Sequence, residues 1–102
     1  MATVWIVNKR NHNYKDAEKF GKLEVLTAGK MNIFRANDLV KDVINKLANK
    51  TSPNDLIVLS GYIIANSIVI HYFLKKYGKA NLLVWDANNN KYVKIHLSDF
   101  AV

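Results

Sequence analysis

The sequence predicts an α/β protein with a small, mostly parallel twisted sheet of four to five strands. Helices flank the sheet in a Rossmann-like or flavodoxin-like three-layer arrangement, and a C-terminal β-hairpin completes it. Three observations predict this. Short continuous apolar runs alternate along the chain with segments of helical period. The connections between the early runs are about a dozen residues or longer, as parallel pairing requires. The last two runs are joined by an asparagine-rich turn and followed by strict alternation, the pattern of a hairpin.

Taken in order, residues 3–8 (TVWIVN) are β-branched and aromatic and end in a polar cluster, as a buried strand does. The polar stretch 9–21 holds one short helical possibility at 14–20 and serves as the first crossover. Residues 22–27 (KLEVLT) form the second strand. In NDLVKDVINKLANK, Leu39, Val40, Val43, Ile44 and Leu47 recur at helical spacing, with Lys41, Asp42, Asn45 and Lys46 on the other face and Asn37 as the expected N-cap. The only proline, Pro53, ends any continuation. Residues 55–60 (DLIVLS) form a third strand, and 62–77 form a helix stopped by Gly78. Residues 81–86 (NLLVWD) and 91–97 (KYVKIHL) form the terminal hairpin, and the tail from Ser98 is too short to assign.

At 102 residues, 50% of them hydrophobic and 23% charged, the chain suits one domain spanning 1–102 with a modest core. It has no cysteine, which excludes disulfide frameworks, thiolate nucleophiles and cysteine-ligated zinc. His12, His71 and His96 lack the spacing of a metal-binding helix, so no metal or cofactor is expected. The first residues lack the pattern of a secretory signal and no apolar tract reaches the ~20 residues a bilayer requires, so neither export nor membrane insertion is expected. A formal charge of +7 favours anionic partners such as nucleotides or nucleic acid. Arginine, the better bidentate phosphate reader, occurs only at Arg10 and Arg35, and the lysines are scattered, so a solvated surface accounts for much of this charge.

In an open α/β sheet, ligands bind beyond the carboxyl ends of the strands, where loops converge and helix N-termini point. Those ends are residues 8–14, 27–32, 60–62 and Asp86. The expected ligand-binding residues are therefore Arg10 and Lys30 for charge, Ser60 and Gly61 for an amide turn, and Tyr14 or Tyr62 as a stacking face. Asn66 would add a polar contact one turn into the helix, with His12 and Asp86 nearby. Set against this, Ser-Gly is an ordinary strand-to-helix turn. TAGKMN lacks the first glycine and the spacing of a phosphate loop, and there is no G-x-G-x-x-G and no G-x-S-x-G. Trp5 and Trp85 lie inside strands and read as core.

Two other functions stay open. His12, with Lys30 or Arg10, could serve a nuclease or phosphohydrolase as acid or base. The helix 62–77 is apolar around most of its circumference, which implies cover from more than one side: a homodimer through that helix, or a host-protein interaction module.

The blocks NYKDAEKFGKLEVLT, GKMNIF, SPNDLIVLSG, FLKKYGKANLLVWDA and KYV, which cover most of residues 11–93, resemble a set of short, uncharacterised open reading frames of phages and prophages. The resemblance includes the leucine-serine-glycine turn followed by Asn66. It implies a protein of the host cytoplasm made from a phage or prophage. It also favours a non-enzymatic binder, since small phage proteins of this kind include host-defence antagonists that sequester nucleotide signals. It transfers no catalytic residue.

Overall fold

The computed structural model describes residues 2–30 and 33–98. Residues 31–32 of the second strand's exit loop and the unassigned tail after Ser98 lie outside the described residues. Five strands form one sheet: β1 (Thr3–Lys9), β2 (Lys22–Ala28), β3 (Leu56–Val58), β4 (Lys79–Asp86) and β5 (Lys91–Ser98). Their spatial order is β2-β1-β3-β4-β5. The first four strands are mutually parallel, with Ile6 opposite both Val25 and Val58, and Val58 opposite Leu83. β5 returns antiparallel along the whole of β4, from Asp86 opposite Lys91 to Lys79 opposite Ser98.

The helices are α1 (Ala36–Leu47) and α2 (Ile63–Tyr77), with short 3-10 helices at Lys15–Phe20 and Ile33–Arg35. The winding decides which face each covers. From β1 the chain steps outward to β2, then reverses across β1 to β3 and β4, so right-handed crossovers put α1 and α2 on one face and Lys15–Phe20 on the other. The core divides accordingly. On the α1/α2 face Val43, Leu47, Ala65, Val69 and Phe73 pack on Trp5, Val7, Leu26, Ile57 and Leu82. On the other face Tyr14 and Ala17 cover Val4, Ile6, Leu56, Val58 and Leu83, with Tyr92 from β5. The neighbours Val4 and Trp5 enter opposite layers, as the two-residue strand period dictates.

At the amino ends of the strands, polar groups are closed onto one another. Asp55 is only 2% exposed. Its carboxylate accepts from the Thr3 and Ser52 amides (both 3.0 Å), Trp5 Nε1 (3.0 Å) and Ser52 Oγ (2.9 Å). Asn81 donates to the carbonyls of Pro53 and Asp55, and His96 Nδ1 lies 2.8 Å from Asn81 Oδ1. His96 is exposed yet tied to β4 by that contact.

Several expectations about elements need correction. Asn37 does not cap α1. The 3-10 turn Ile33–Arg35 feeds directly into the helix, so Arg35 occupies the cap position and its guanidinium pairs with Asp38 at 3.0 Å. β3 is shorter than 55–60 because Asp55 turns its carboxylate to the rim network and Ser60 leaves the ladder for β1. α2 begins at Ile63, with Tyr62 in the cap position, and ends where Gly78 adopts φ 70°, while β4 starts two residues early at Lys79. The apolar circumference of α2 is largely covered within the chain. Ala65, Val69 and Phe73 face the sheet, and Ile68, Ile70, Tyr72, Leu74 and Tyr77 pack at the margin of the same core. What remains is a groove of about 320 Å³ between α1 and α2, lined by Val40, Ile44, Ile64, Ser67, Ile68 and His71, with Ile63 82% exposed nearby.

Candidate functional site

Because β1 to β4 are parallel, their carboxyl ends share one rim, and a buried hydrogen-bond network fixes its geometry. Asn8, fully buried at the end of β1, donates from Nδ2 to the Gly29 carbonyl (3.0 Å) and accepts at Oδ1 from Thr27 Oγ1 (2.8 Å). Ser60 Oγ donates to the Asn8 carbonyl (3.0 Å) and accepts from the Asn8 amide (3.3 Å). The ends of β2, β1 and β3 are thus locked together.

Gly61 makes the next turn possible. Its φ is +74°, and a Cβ there would stand 2.7 Å from Asn8 Nδ2 and 2.8 Å from Asn8 Cβ. A side chain is excluded by backbone conformation and by space at once. Asn66 holds the turn from the helix side. Its Oδ1 accepts from the Ser60 amide (3.2 Å), and its Nδ2 donates to the carbonyls of Ser60 (3.2 Å) and Tyr62 (2.9 Å). Both ends of its amide are engaged, so Asn66 shapes the turn and does not reach outward. The first internal bond of α2 runs from the Asn66 amide to the Tyr62 carbonyl, which leaves the amides of the preceding turn as the positive end of the helix.

A layer of rings and cations lies above this network. A cleft of about 240 Å³ is lined by Arg10, His12, Tyr14, Leu59, Ser60, Gly61, Trp85 and Tyr92. The His12 ring stands edge-on to Tyr14 (5.1 Å), Trp85 (5.0 Å) and Tyr92 (6.2 Å). Tyr14 is buried, and its hydroxyl accepts from the Arg10 amide at 3.0 Å, so it is a wall more than a stacking face. The Arg10 guanidinium lies 5.7 Å from the centre of the Tyr62 ring, a cation–π contact that aligns it without neutralising it. Among the described residues neither Arg10, Lys15 nor Lys30 forms an ion pair.

Asp16 braces the wall. Its carboxylate accepts from the Tyr92 amide at 2.7 Å and pairs with Lys19 at 3.2 Å. The Tyr92 amide, above all, holds that carboxyl below its usual range, while burial pushes the Tyr92 phenol up to about 12. Asp86, expected in the site, turns its carboxylate into its own hairpin, accepting from the Asn88 and Asn89 amides and from Asn89 Nδ2 at 2.7 Å. These bonds hold its carboxyl low as well, the Asn89 side chain first. A bend over a reversing chain favours such capping, which removes Asp86 from the cleft.

The rim thus brings together Arg10, His12, Tyr14, Ser60 and Gly61, with Tyr62 behind Arg10. Lys30 follows the β2 exit at Gly29 and does not line the cleft. Sequence reasoning missed Asn8, Trp85 and Tyr92. A lone asparagine inside a buried strand was a usable signal for Asn8. Trp85, read as core, is half-buried and lines the cleft because it lies one residue from the tip of β4. No group of metal-ligating side chains occurs among the described residues, and no helix there is long and apolar enough to cross a membrane.

No curated protein and no solved structure matches the chain. The family model described as phage Pam3 gp32-like protein matches residues 2–99, almost the entire sequence. Its span takes in every block behind the resemblance to short phage open reading frames, and the chain therefore belongs to the phage Pam3 gp32-like protein family.

Proposed function

We propose that this phage-family protein is a non-enzymatic binder of an anionic ligand, a nucleotide or a nucleic-acid phosphate, acting at the carboxyl rim in the host cytoplasm. One observation carries the reading: a cleft that joins an arginine without an ion pair among the described residues to the glycine turn before α2, with aromatic rings on its remaining walls. The order β2-β1-β3-β4-β5 supports it, since in flavodoxin-like winding the crevice opens between β1 and β3, where the order reverses. Arg10 and Ser60–Gly61 are the groups that follow those two strands. Arg10 would supply charge, the Gly61 turn and the α2 N-terminus would supply amides, and Lys30 would add field from the flank.

Binding without turnover is favoured over hydrolysis by the surroundings of His12. Its three close neighbours are rings, and among the described residues no side-chain acceptor orients its imidazole as a general base requires. Replacement of both Arg10 and Lys30 by alanine tests the reading against a panel of nucleotides in titration calorimetry. Loss of saturable binding is expected, and unchanged binding would refute the assigned roles. Product formation that disappears in His12→Ala would instead establish the nuclease or phosphohydrolase alternative.

A second reading rests on the α1/α2 groove and Ile63. A second copy seated there would form a homodimer and cover the apolar surface that α2 leaves exposed; a host protein is the competing occupant. Sedimentation at micromolar concentration distinguishes them, a one-chain mass opposing the dimer.

A further inference from the structure

The cleft beside Ser60 and Gly61 does not stand alone. A second cavity, about 650 Å³, opens on the same rim, lined by His12, Asn13, Lys15, Asp16, Lys19, Trp85 and Asn90. The two cavities share His12 and Trp85. Those rings meet edge to face, with centroids 5.0 Å apart and planes at 78°, so they form a partition with one compartment on each side. Each compartment has its own cation: Arg10 in the smaller, Lys15 and Lys19 in the larger. Lys15 forms no ion pair among the described residues. Lys19 pairs with Asp16, whose other oxygen accepts from the Tyr92 amide, so the larger compartment keeps an excess of positive charge.

A nucleoside monophosphate carries one phosphate and so can satisfy the cations of one side only. Cations on both sides of a ring partition match a chain in which phosphates and bases alternate, since bases stack on rings while phosphates seek the flanking cations. Resting on the anion-binding reading of the rim, we infer that the protein takes at least two phosphodiester-linked nucleotide units straddling His12 and Trp85. One phosphate sits at Arg10 and the Gly61 turn, and the next at Lys15 and Lys19. A free dinucleotide and a stretch of single-stranded nucleic acid share this chemistry.

A change in tryptophan fluorescence reports occupancy at Trp85, because Trp5 is buried in the amino half of β1, away from both compartments, and contributes a constant background. Three probes are titrated: thymidine 5′-monophosphate, the 5′-phosphorylated thymidine dinucleotide and a thymidine octanucleotide. The dinucleotide is expected to bind at least about tenfold more tightly than the monophosphate, the lower range of charge-assisted hydrogen bonds to one added phosphate. Replacing Lys15 and Lys19 together by glutamine should erase that gain and leave the monophosphate Kd within about twofold, whereas Arg10→Ala should weaken both ligands. An octanucleotide as tight as the dinucleotide identifies a strand as the source; a weaker one identifies the free dinucleotide. Equal affinity for one and two units, or a gain that survives the double lysine replacement, would overturn the two-compartment inference and leave the anion site standing. No binding of any probe would overturn both.

Discussion

The two rims of the sheet carry comparable numbers of polar groups and use them in opposite ways. At the amino rim, Asp55 gathers two amides, an indole N–H and a hydroxyl, and Asn81 donates to the carbonyls of Pro53 and Asp55. Nothing charged is left facing solvent from that network. At the carboxyl rim, Asn8, Thr27, Ser60 and Asn66 form an equally closed lower layer. Above it stand Arg10 and Lys15, which form no ion pair among the described residues, and a group of rings that meet at their edges. The closed network and the cationic layer thus lie at opposite ends of the parallel strands. A satisfied polar network stabilises the fold, and the cationic layer resting on such a network is what the proposed anion binding rests on.

That contrast can be broken most forcefully at the amino rim. Asp55→Ala strands the Thr3 and Ser52 amides and the Trp5 indole in a buried site, and a loss of about 3–5 kcal/mol in denaturant unfolding is expected, with ligand affinity per folded molecule unchanged. The next largest effect is Gly61→Ala, about 2 kcal/mol, since the methyl meets Asn8 in a backbone conformation alanine disfavours. Here stability and affinity should fall together, because the turn is both support and site. Arg10→Ala with Lys30→Ala should do the reverse, shifting stability by no more than about 0.5 kcal/mol while abolishing nucleotide binding.

The smallest effect is electrostatic. The carboxyl of Asp16 is held low by the Tyr92 amide, so its contribution to stability is present above the ordinary carboxylate range and lost as pH falls through the lowered value. Asp16→Asn should therefore flatten part of the acid limb of the stability profile below about pH 4. Tyr92 has the opposite sign. Its phenol is raised to about 12, so its contribution holds below the ordinary tyrosine value and disappears as pH climbs through about 12, which ultraviolet absorbance of the phenolate would follow.

Much of this was legible in the sequence. Continuous runs such as LIV and LLV reported strands buried on both faces, and the 13-residue first crossover and the asparagine turn reported parallel and antiparallel connections. Placing Arg10, His12, Ser60 and Gly61 on one rim followed from the parallel sheet alone. The layering was less visible, since the first crossover is a 3-10 helix too short to show a period, and one face of the sheet carries far less helix than the other. Side-chain roles were least legible. Nothing local to Asp86 reveals that its own turn captures it, or that Asn66 reaches back to Ser60. Trp85 and Tyr92 read as strand interior because their nearness to His12 depends on pairing between β4 and β5. How much of the apolar circumference of α2 the sheet and α1 cover is a tertiary fact that the helical period alone does not carry.

The central claim, that the two rims differ in function, is tested most directly by backbone amide shifts as a nucleoside 5′-monophosphate is titrated into the isotopically labelled protein. The account predicts saturable movement of the Arg10, His12, Gly61 and Ile63 amides, with those of Thr3, Ser52 and Asp55 still. Movement centred on the amino rim, or none at any concentration that saturates a millimolar site, would contradict it.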